Sequence, residues 1–204
     1  MAHEPKNFET LLADCKAFLS EKQLKAHFTL YQGYVKKLNE IEEALGKADR
    51  TVFNYSFAPY SELRRREPVA YNGTVLHEAY FENLGAPGQE PPAPFKKAVA
   101  DSFGSWDTWI ADVKAIVGSG HGWCLTTYDF NFMKVRNNFV QGEHHVGLFP
   151  NQAVLIAIDA WEHAYFLDYG TAKADYLAGV LNHLNWKAIE KRLQWTLLAQ
   201  SKAS

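Results

Sequence analysis

Asp159 and His163 stand four residues apart, a spacing that on one helical turn brings a carboxylate and an imidazole to a single point. An anionic oxygen beside a neutral nitrogen suits a metal ion. The plainer reading makes His163 a helix histidine in a satisfied ion pair, and with 23 acidic residues among 204 the spacing alone does not choose. His27 and His77 fall on the core-facing edges of two helical patterns that read as an antiparallel pair, where a buried imidazole needs partners at its ring nitrogens. Each of them alone also reads as an ordinary core residue. Together the three histidines and the carboxylate offer three neutral nitrogens and one anionic oxygen. Such a set suits a redox iron or manganese, or a zinc, and leaves a position for water or substrate. Residue types do not separate these metals.

Hydrophobic period predicts the elements that would hold this set. Apolar residues at 8, 11, 12, 15, 18 and 19 predict a helix over residues 8–19. Ser20 with Gln23 predicts a capping box and a second, longer helix through Leu24, His27, Phe28, Tyr31, Tyr34, Val35, Leu38, Ile41 and Leu45. His27, Tyr31 and Tyr34 share one face of it. A loop rich in aromatic and basic residues is predicted from Thr51 to about Asn72, followed by a helix with Val75, Leu76, Tyr80, Phe81 and Leu84 and with His77 on its inner edge. Two glycines and four prolines between Gly85 and Pro94 exclude helix and central strand, so a domain boundary is expected there. This divides the chain into a helical hairpin domain, 1–88, and a second domain, 89–204. In the second, helices are predicted over 95–103 and, capped by Ser105, over 106–117. A hairpin (123–128 and 133–141) and a buried strand (154–158) come next, then helical residues from Asp159 through Phe166 and helices over 173–184 and 186–197. A helical hairpin followed by helices around a small three-stranded antiparallel sheet is an α+β fold.

Composition excludes other classes. With 47% apolar and 22% charged residues the chain has the makeup of a globular protein, not a disordered one. The longest apolar run, residues 153–158, is far short of the roughly 20 residues of a membrane span, so no membrane partner is expected. Residues 1–10 are polar, which points to the cytoplasm. A net charge of −2 supplies no basic face for nucleic acid. Cys15 and Cys124 sit in apolar patterns and read as reduced, buried thiols.

Six stretches carry a resemblance to a known family: residues 72–83, Phe103-Gly-Ser-Trp106, Gly118-Ser-Gly120, Asp159-Ala-Trp-Glu-His-Ala-Tyr165, Asp175-Tyr176 and Asn185-Trp186. In order and spacing they resemble the iron/manganese superoxide dismutases over nearly the whole chain. The resemblance implies that His27, His77, Asp159 and His163 hold one iron per chain, with manganese the second choice and a solvent molecule as fifth ligand. It implies superoxide as substrate, Tyr34 as the gateway tyrosine, and Trp123 and Trp161 as the aromatic cage. It also implies a homodimer in which Glu162, with Tyr165 beside it, reaches toward the ligand histidine of the second copy. Either His144, by counting back from Asp159, or Gln141, by counting forward from Trp123, would bond the solvent, with His144 preferred and His145 adjacent. Several positions depart from the pattern. Seven positions, not eight, separate His27 from Tyr34, consistent with the absence of a π-bulge. Leu30 and Tyr31 replace a histidine pair, Thr74 replaces a histidine, His121 replaces a tryptophan, and Phe166 replaces a tyrosine. Tyr31 and His121 are therefore carried as neighbours of the site. An apolar contact of Leu30 with Phe166 of a second copy is expected. The rival reading is a relative that keeps the fold for metal binding or structure, with little or no dismutase activity. A metal hydrolase is disfavoured, because no further carboxylate in these motifs serves as general base.

Overall fold

Ser20 starts the longest helix of the chain, α2 (Glu21–Lys47), by accepting a hydrogen bond from the Gln23 amide at 3.1 Å. The computed structural model describes residues 2–203, with side chains through residue 199. Only half of the expected capping box forms. The Gln23 side chain turns instead to the far half of the chain, donating from Nε2 to the His163 carbonyl at 2.6 Å and accepting from the Leu167 amide at 3.1 Å. Asp168 takes the vacated role, accepting from the Ser20 amide at 2.6 Å. The N-terminus of α2 is thereby stitched to the segment that carries His163.

α2 packs along α3 (Pro59–Asn83). His27 meets His77 at one end, while Leu38, Ile41 and Leu45 meet Leu63 and Ala70 at the other, so the two helices run antiparallel. Two expectations are corrected here. The helix predicted over 8–19 is a single turn, α1 (Leu11–Asp14), because the chain leaves helical geometry at Cys15 and continues in turns. The loop expected up to Asn72 ends at Ala58, and α3 is almost four turns longer than its apolar pattern suggests. Pro59 stands at its first turn, where a missing amide costs nothing. Pro68 and the Arg64–Arg66 run, which hid the helix from the period, are carried on faces turned partly or wholly to solvent.

Four helical and strand segments follow as predicted within a residue or two: α4 (Ala93–Phe103), α5 (Trp106–Gly118), β1 (Trp123–Asp129) and β2 (Lys134–Val140). A short left-handed turn, α6 (Gly142–His145), leads to β3 (Gln152–Asp159), and the chain closes with α7 (Phe166–Tyr169), α8 (Lys173–Asn182) and α9 (Trp186–Ala203). The sheet is antiparallel in the order β2-β1-β3, and every residue of β1 is buried. The fold is therefore α+β: an N-terminal helical region, then a C-terminal domain of helices around three strands. Trp123 is the pivot of the register, paired with Val140 on one side and Asp159 on the other. That pairing puts the last residue of β3 and the turn after β2 at the same end of the sheet. Asn83, at the end of α3, accepts from the Ala157 amide at 2.8 Å and anchors the hairpin to β3. Cys15 and Cys124 are free and buried, and burial pushes the Cys15 thiol up to about 12 and the Cys124 thiol higher still, which keeps both protonated and inert.

Candidate metal centre

Asp159 reaches the site from a strand end, not from a helix. The expectation of one helical turn is corrected: residue 161 is extended and His163 sits in a 3₁₀ turn (Glu162–Ala164). The two residues still converge because the Trp161 amide donates to Asp159 Oδ1 at 2.9 Å, folding the chain back on the carboxylate. This leaves Oδ2 to face the histidines. The Asp159 backbone is held as well, its carbonyl accepting from the Tyr176 hydroxyl at 2.7 Å.

Three ring nitrogens surround that one oxygen. Nε2 of His163, His27 and His77 lie 3.1, 3.2 and 3.6 Å from Oδ2. His27, His77 and Asp159 are fully buried, and His163 is partly exposed. His77 is fixed by α3 itself: its Nδ1–H donates to the Gly73 carbonyl one turn back, so Nε2 carries the lone pair and points into the site. That nitrogen has no hydrogen-bond partner among the described residues. A buried acceptor without a donor is rare and signals a missing ligand. The four donor atoms lie within 4.8 Å of one another. Ligands at about 2.1 Å from a common ion stand roughly 3.0 to 3.6 Å apart at angles of 90° to 120°, which is the spacing found around Oδ2. The residues therefore fit a single transition-metal ion bound by three nitrogens and one oxygen.

The electrostatics agree. Burial alone would push the Asp159 carboxyl up, yet the His163 and His27 rings beside it leave it well below the usual carboxylate range. Burial pulls His77 down to about 3, aided by repulsion from His27, and it lowers His27 too. Both are neutral, as ligation requires. For His163 burial is outweighed by the Asp159 carboxylate, and its basicity is raised.

The other expected residues divide into those that the structure gathers and those that it does not. His144 is buried between two partners: the Trp123 indole donates to Nδ1 at 2.8 Å, and Nε2 lies 2.8 Å from the Tyr34 hydroxyl. An indole N–H only donates, so Nδ1 must be the acceptor and the neutral ring, favoured by burial, bears its proton on Nε2. His144 thus donates to the Tyr34 oxygen and leaves the phenol proton free for another acceptor. Trp161 lies near both His163 and His144, with ring centroids 6.5 and 5.9 Å away. His121 is exposed and lies against Trp161 from outside, at 6.3 Å. Gln141 and His145 are exposed at the surface. Tyr31 shares the buried face of α2, but its hydroxyl turns from the site, accepting from the Lys6 amide and donating to Glu78 at 2.8 Å. Glu162 is exposed, while Tyr165 is buried against Tyr176.

Sequence reasoning missed three contributors. Tyr176 was noticed only as part of a motif, yet it bonds both the Asp159 carbonyl and the Tyr80 hydroxyl. Gln23 keeps its amide in the Ser20 cap, but its side chain, expected to complete the capping box, donates to the His163 carbonyl. Lys173 donates to the Gly120 carbonyl at 2.6 Å and lies over the Tyr165 ring, placing a cation within the fields of Asp159 and Glu162. No spacing signal marks Lys173, and only the tertiary fold brings it there.

Gly73 makes the Tyr34 position possible. A Cβ at residue 73 would overlap the Tyr34 ring. Gly73→Ala should therefore displace Tyr34 and cost about 1–3 kcal/mol of stability, the usual penalty of overpacking. Urea unfolding of the variant measures it, and an unchanged midpoint would contradict the close contact.

Comparison with known proteins gives a consistent result. The family model for the C-terminal domain of iron/manganese superoxide dismutases matches residues 91–192. The chain is 33% identical over 186 residues to "Superoxide dismutase [Fe]" of Aquifex aeolicus, covering 89% of this chain and 87% of that protein. It is 33% identical over 181 residues to "Superoxide dismutase [Fe]" of Cupriavidus metallidurans, covering 85% and 88%. With "Superoxide dismutase [Mn] 2" of Haloferax volcanii it shares 31% identity over 172 residues, covering 82% and 83%.

Proposed function

The chain belongs to the iron/manganese superoxide dismutase family, whose members are metal-dependent oxidoreductases, and we propose that it disproportionates superoxide to dioxygen and hydrogen peroxide. The observation that carries the proposal is the convergence of three histidine nitrogens on Asp159 Oδ2, with the His77 nitrogen buried and unpartnered. His27, His77, Asp159 and His163 would hold one iron, or alternatively manganese, per chain. Either ion, once bound by these four residues, would supply the one-electron redox exchange that disproportionation needs. Everything else falls to the protein.

Reduction of superoxide to hydrogen peroxide consumes two protons. Tyr34 is the residue placed to deliver one from its hydroxyl, since His144 already donates to its oxygen and orients the phenol proton elsewhere. Burial, with Asp159 and Glu143 adding to it, raises the Tyr34 basicity and keeps that proton in place at neutral pH. Trp123 fixes His144, and Trp161 shields the histidines from bulk water. Lys173 offers an anionic substrate a positive field near the rim. Gln141, His145 and Tyr31 take no part in this reading, and His121 only backs Trp161. The test is elemental analysis of the purified chain together with superoxide consumption by its iron-loaded and manganese-loaded forms. Turnover no faster than the free ions, or a chain that takes up only zinc, would overturn the proposal and leave a metal-binding or structural relative.

We also infer two domains, 1–88 and 89–204, a cytoplasmic setting in keeping with the buried free thiols, and a homodimer. Phe166 and Leu167 are exposed beside Glu162 and the open side of His163, an apolar surface around a carboxylate. Glu162 would accept a hydrogen bond from the ligand histidine of the second copy and fix its tautomer. Leu30, half-buried on α2, and Phe166 would meet in a dry contact. Glu162→Ala removes the contact from both copies and should weaken dimerisation about a hundredfold or more, as the loss of two charge-assisted hydrogen bonds implies. Sedimentation equilibrium checks this, and a wild-type monomer would refute the dimer.

A further inference from the structure

The turn that presents His144 to Tyr34 has an unusual backbone. Gly142, Glu143 and His144 all have positive φ, at 48°, 53° and 69°. Such a stretch is accessible to glycine, but two successive L-residues with larger side chains hold it only when their surroundings over-determine it. Two sets of contacts are visible. The feet of the turn are joined by Gln141 and Val146, whose amides and carbonyls pair reciprocally at 2.7 and 3.1 Å. At its tip, inside, His144 is held by Trp123 and Tyr34.

On the outside of the same tip stands Glu143, whose carboxylate is gripped by Arg66 of α3. Nη1 lies 2.8 and 2.9 Å from the two oxygens. Arg66 differs from its neighbours in this. Arg64 pairs with Glu67 and Arg65 with Glu62, each within its own helix, whereas Arg66 spans 77 residues of sequence to reach the turn. It also lies on the helix that carries His77, so the contact ties the turn directly to the element that bears a candidate ligand. The Glu143 carboxylate is close enough to act on both Tyr34 and His144, and Arg66 sets its charge against a cation.

We propose that Arg66 and Glu143 form a latch that closes the left-handed turn and so positions His144 between Trp123 and Tyr34. Arg66 is a positioning residue in this reading, acting through Glu143. An exposed ion pair adds little to the stability of a whole fold, so its effect must appear locally, in how often the turn opens. The inference rests on the place given to His144 in the proposed function, but opening of the turn is measurable whether or not the chain consumes superoxide.

The experiment is hydrogen exchange by mass spectrometry on the full-length, metal-loaded protein and on Arg66→Ala, Glu143→Gln and the exchanged pair Arg66→Glu with Glu143→Arg. Exchange of the amides over residues 141–147 should rise roughly three- to fivefold in each single variant, the change that an exposed ion pair supports. Peptides from β1 and α2 should stay at the wild-type rate. The exchanged pair should return the turn to that rate, and turnover should fall and recover in parallel. Unchanged exchange at 141–147 in Arg66→Ala, or an increase that the exchanged pair fails to reverse, would overturn the latch. If the turn opens as described while the wild-type chain shows no turnover, the latch stands and the catalytic reading falls.

Discussion

Asp159→Asn yields a folded chain that keeps less than about a tenth of the metal of the wild type, an affinity loss above the 10- to 100-fold caused by removing groups outside the ligand set. The replacement is close to isosteric. The introduced carboxamide would still accept from the Trp161 amide through its oxygen, and the backbone at this position would still be held by Tyr176 and by pairing with Trp123, so the strand end stays in place. What disappears is the anion around which three neutral nitrogens are arranged. The carboxamide offers in its stead a donor aimed at lone pairs, which repels the same ion that the carboxylate attracts. Elemental analysis after dialysis against a chelator measures the outcome, with circular dichroism as the check on folding. His163→Ala should lose metal as well, while Gln141→Ala should keep it. Full iron in Asp159→Asn would remove this carboxylate from the site.

The metal-stripped protein should lose at least about 1.5 kcal/mol of stability between pH 6.5 and pH 5 through His77 alone, with His27 adding in the same direction, judged by urea unfolding. His27 and His77 are held neutral by burial, His77 down to about 3, whereas in the unfolded chain both titrate near 6.5. Below that value the unfolded chain binds more protons than the folded one, so stability falls as the pH falls. His144, lowered by burial too, adds in the same direction. His163 does not oppose the trend in this window. Its basicity is raised in the fold, so its contribution is complete below 6.5 and is lost only as the pH rises through its folded value. The Asp159 contribution is lost only in stronger acid, below about 4. His77→Gln should flatten the dependence, and a flat profile in the wild type would show that the two buried rings are not neutral partners of Asp159.

The inward placement of His27 and His77 was legible because α2 and the second half of α3 carry apolar residues at helical spacing, while their role as candidate ligands came from the resemblance. Asp159 and His163 were found for a reason that proved wrong in detail. Their convergence comes from a side chain folding back on the amide of Trp161, a local bond that leaves no mark in helical spacing. The choice between His144 and Gln141 could not be made by counting, since the turn between them places three residues in the left-handed region and moves His144 inward while Gln141 stays outside. Tyr31 shows a further limit. The period puts its ring on the correct face, but only the N-terminal segment, through the Lys6 amide and with Glu78 of α3, decides where the hydroxyl points. The long start of α3 was hidden because exposed helical turns need no apolar stripe.

The separation of the candidate ligands along the chain has a consequence for biosynthesis. His27 and Asp159 are 132 residues apart, and at 5 to 20 residues per second a ribosome needs roughly 7 to 26 s to make the stretch between them. During that time the growing chain presents at most two of the three imidazoles and not the Asp159 carboxylate, a poor cage for any dication. Capture of an ion by this candidate set would therefore wait until β3 has added to the sheet and brought its carboxylate home, and the ion selected would be the one available to a nearly finished chain, not to a growing one.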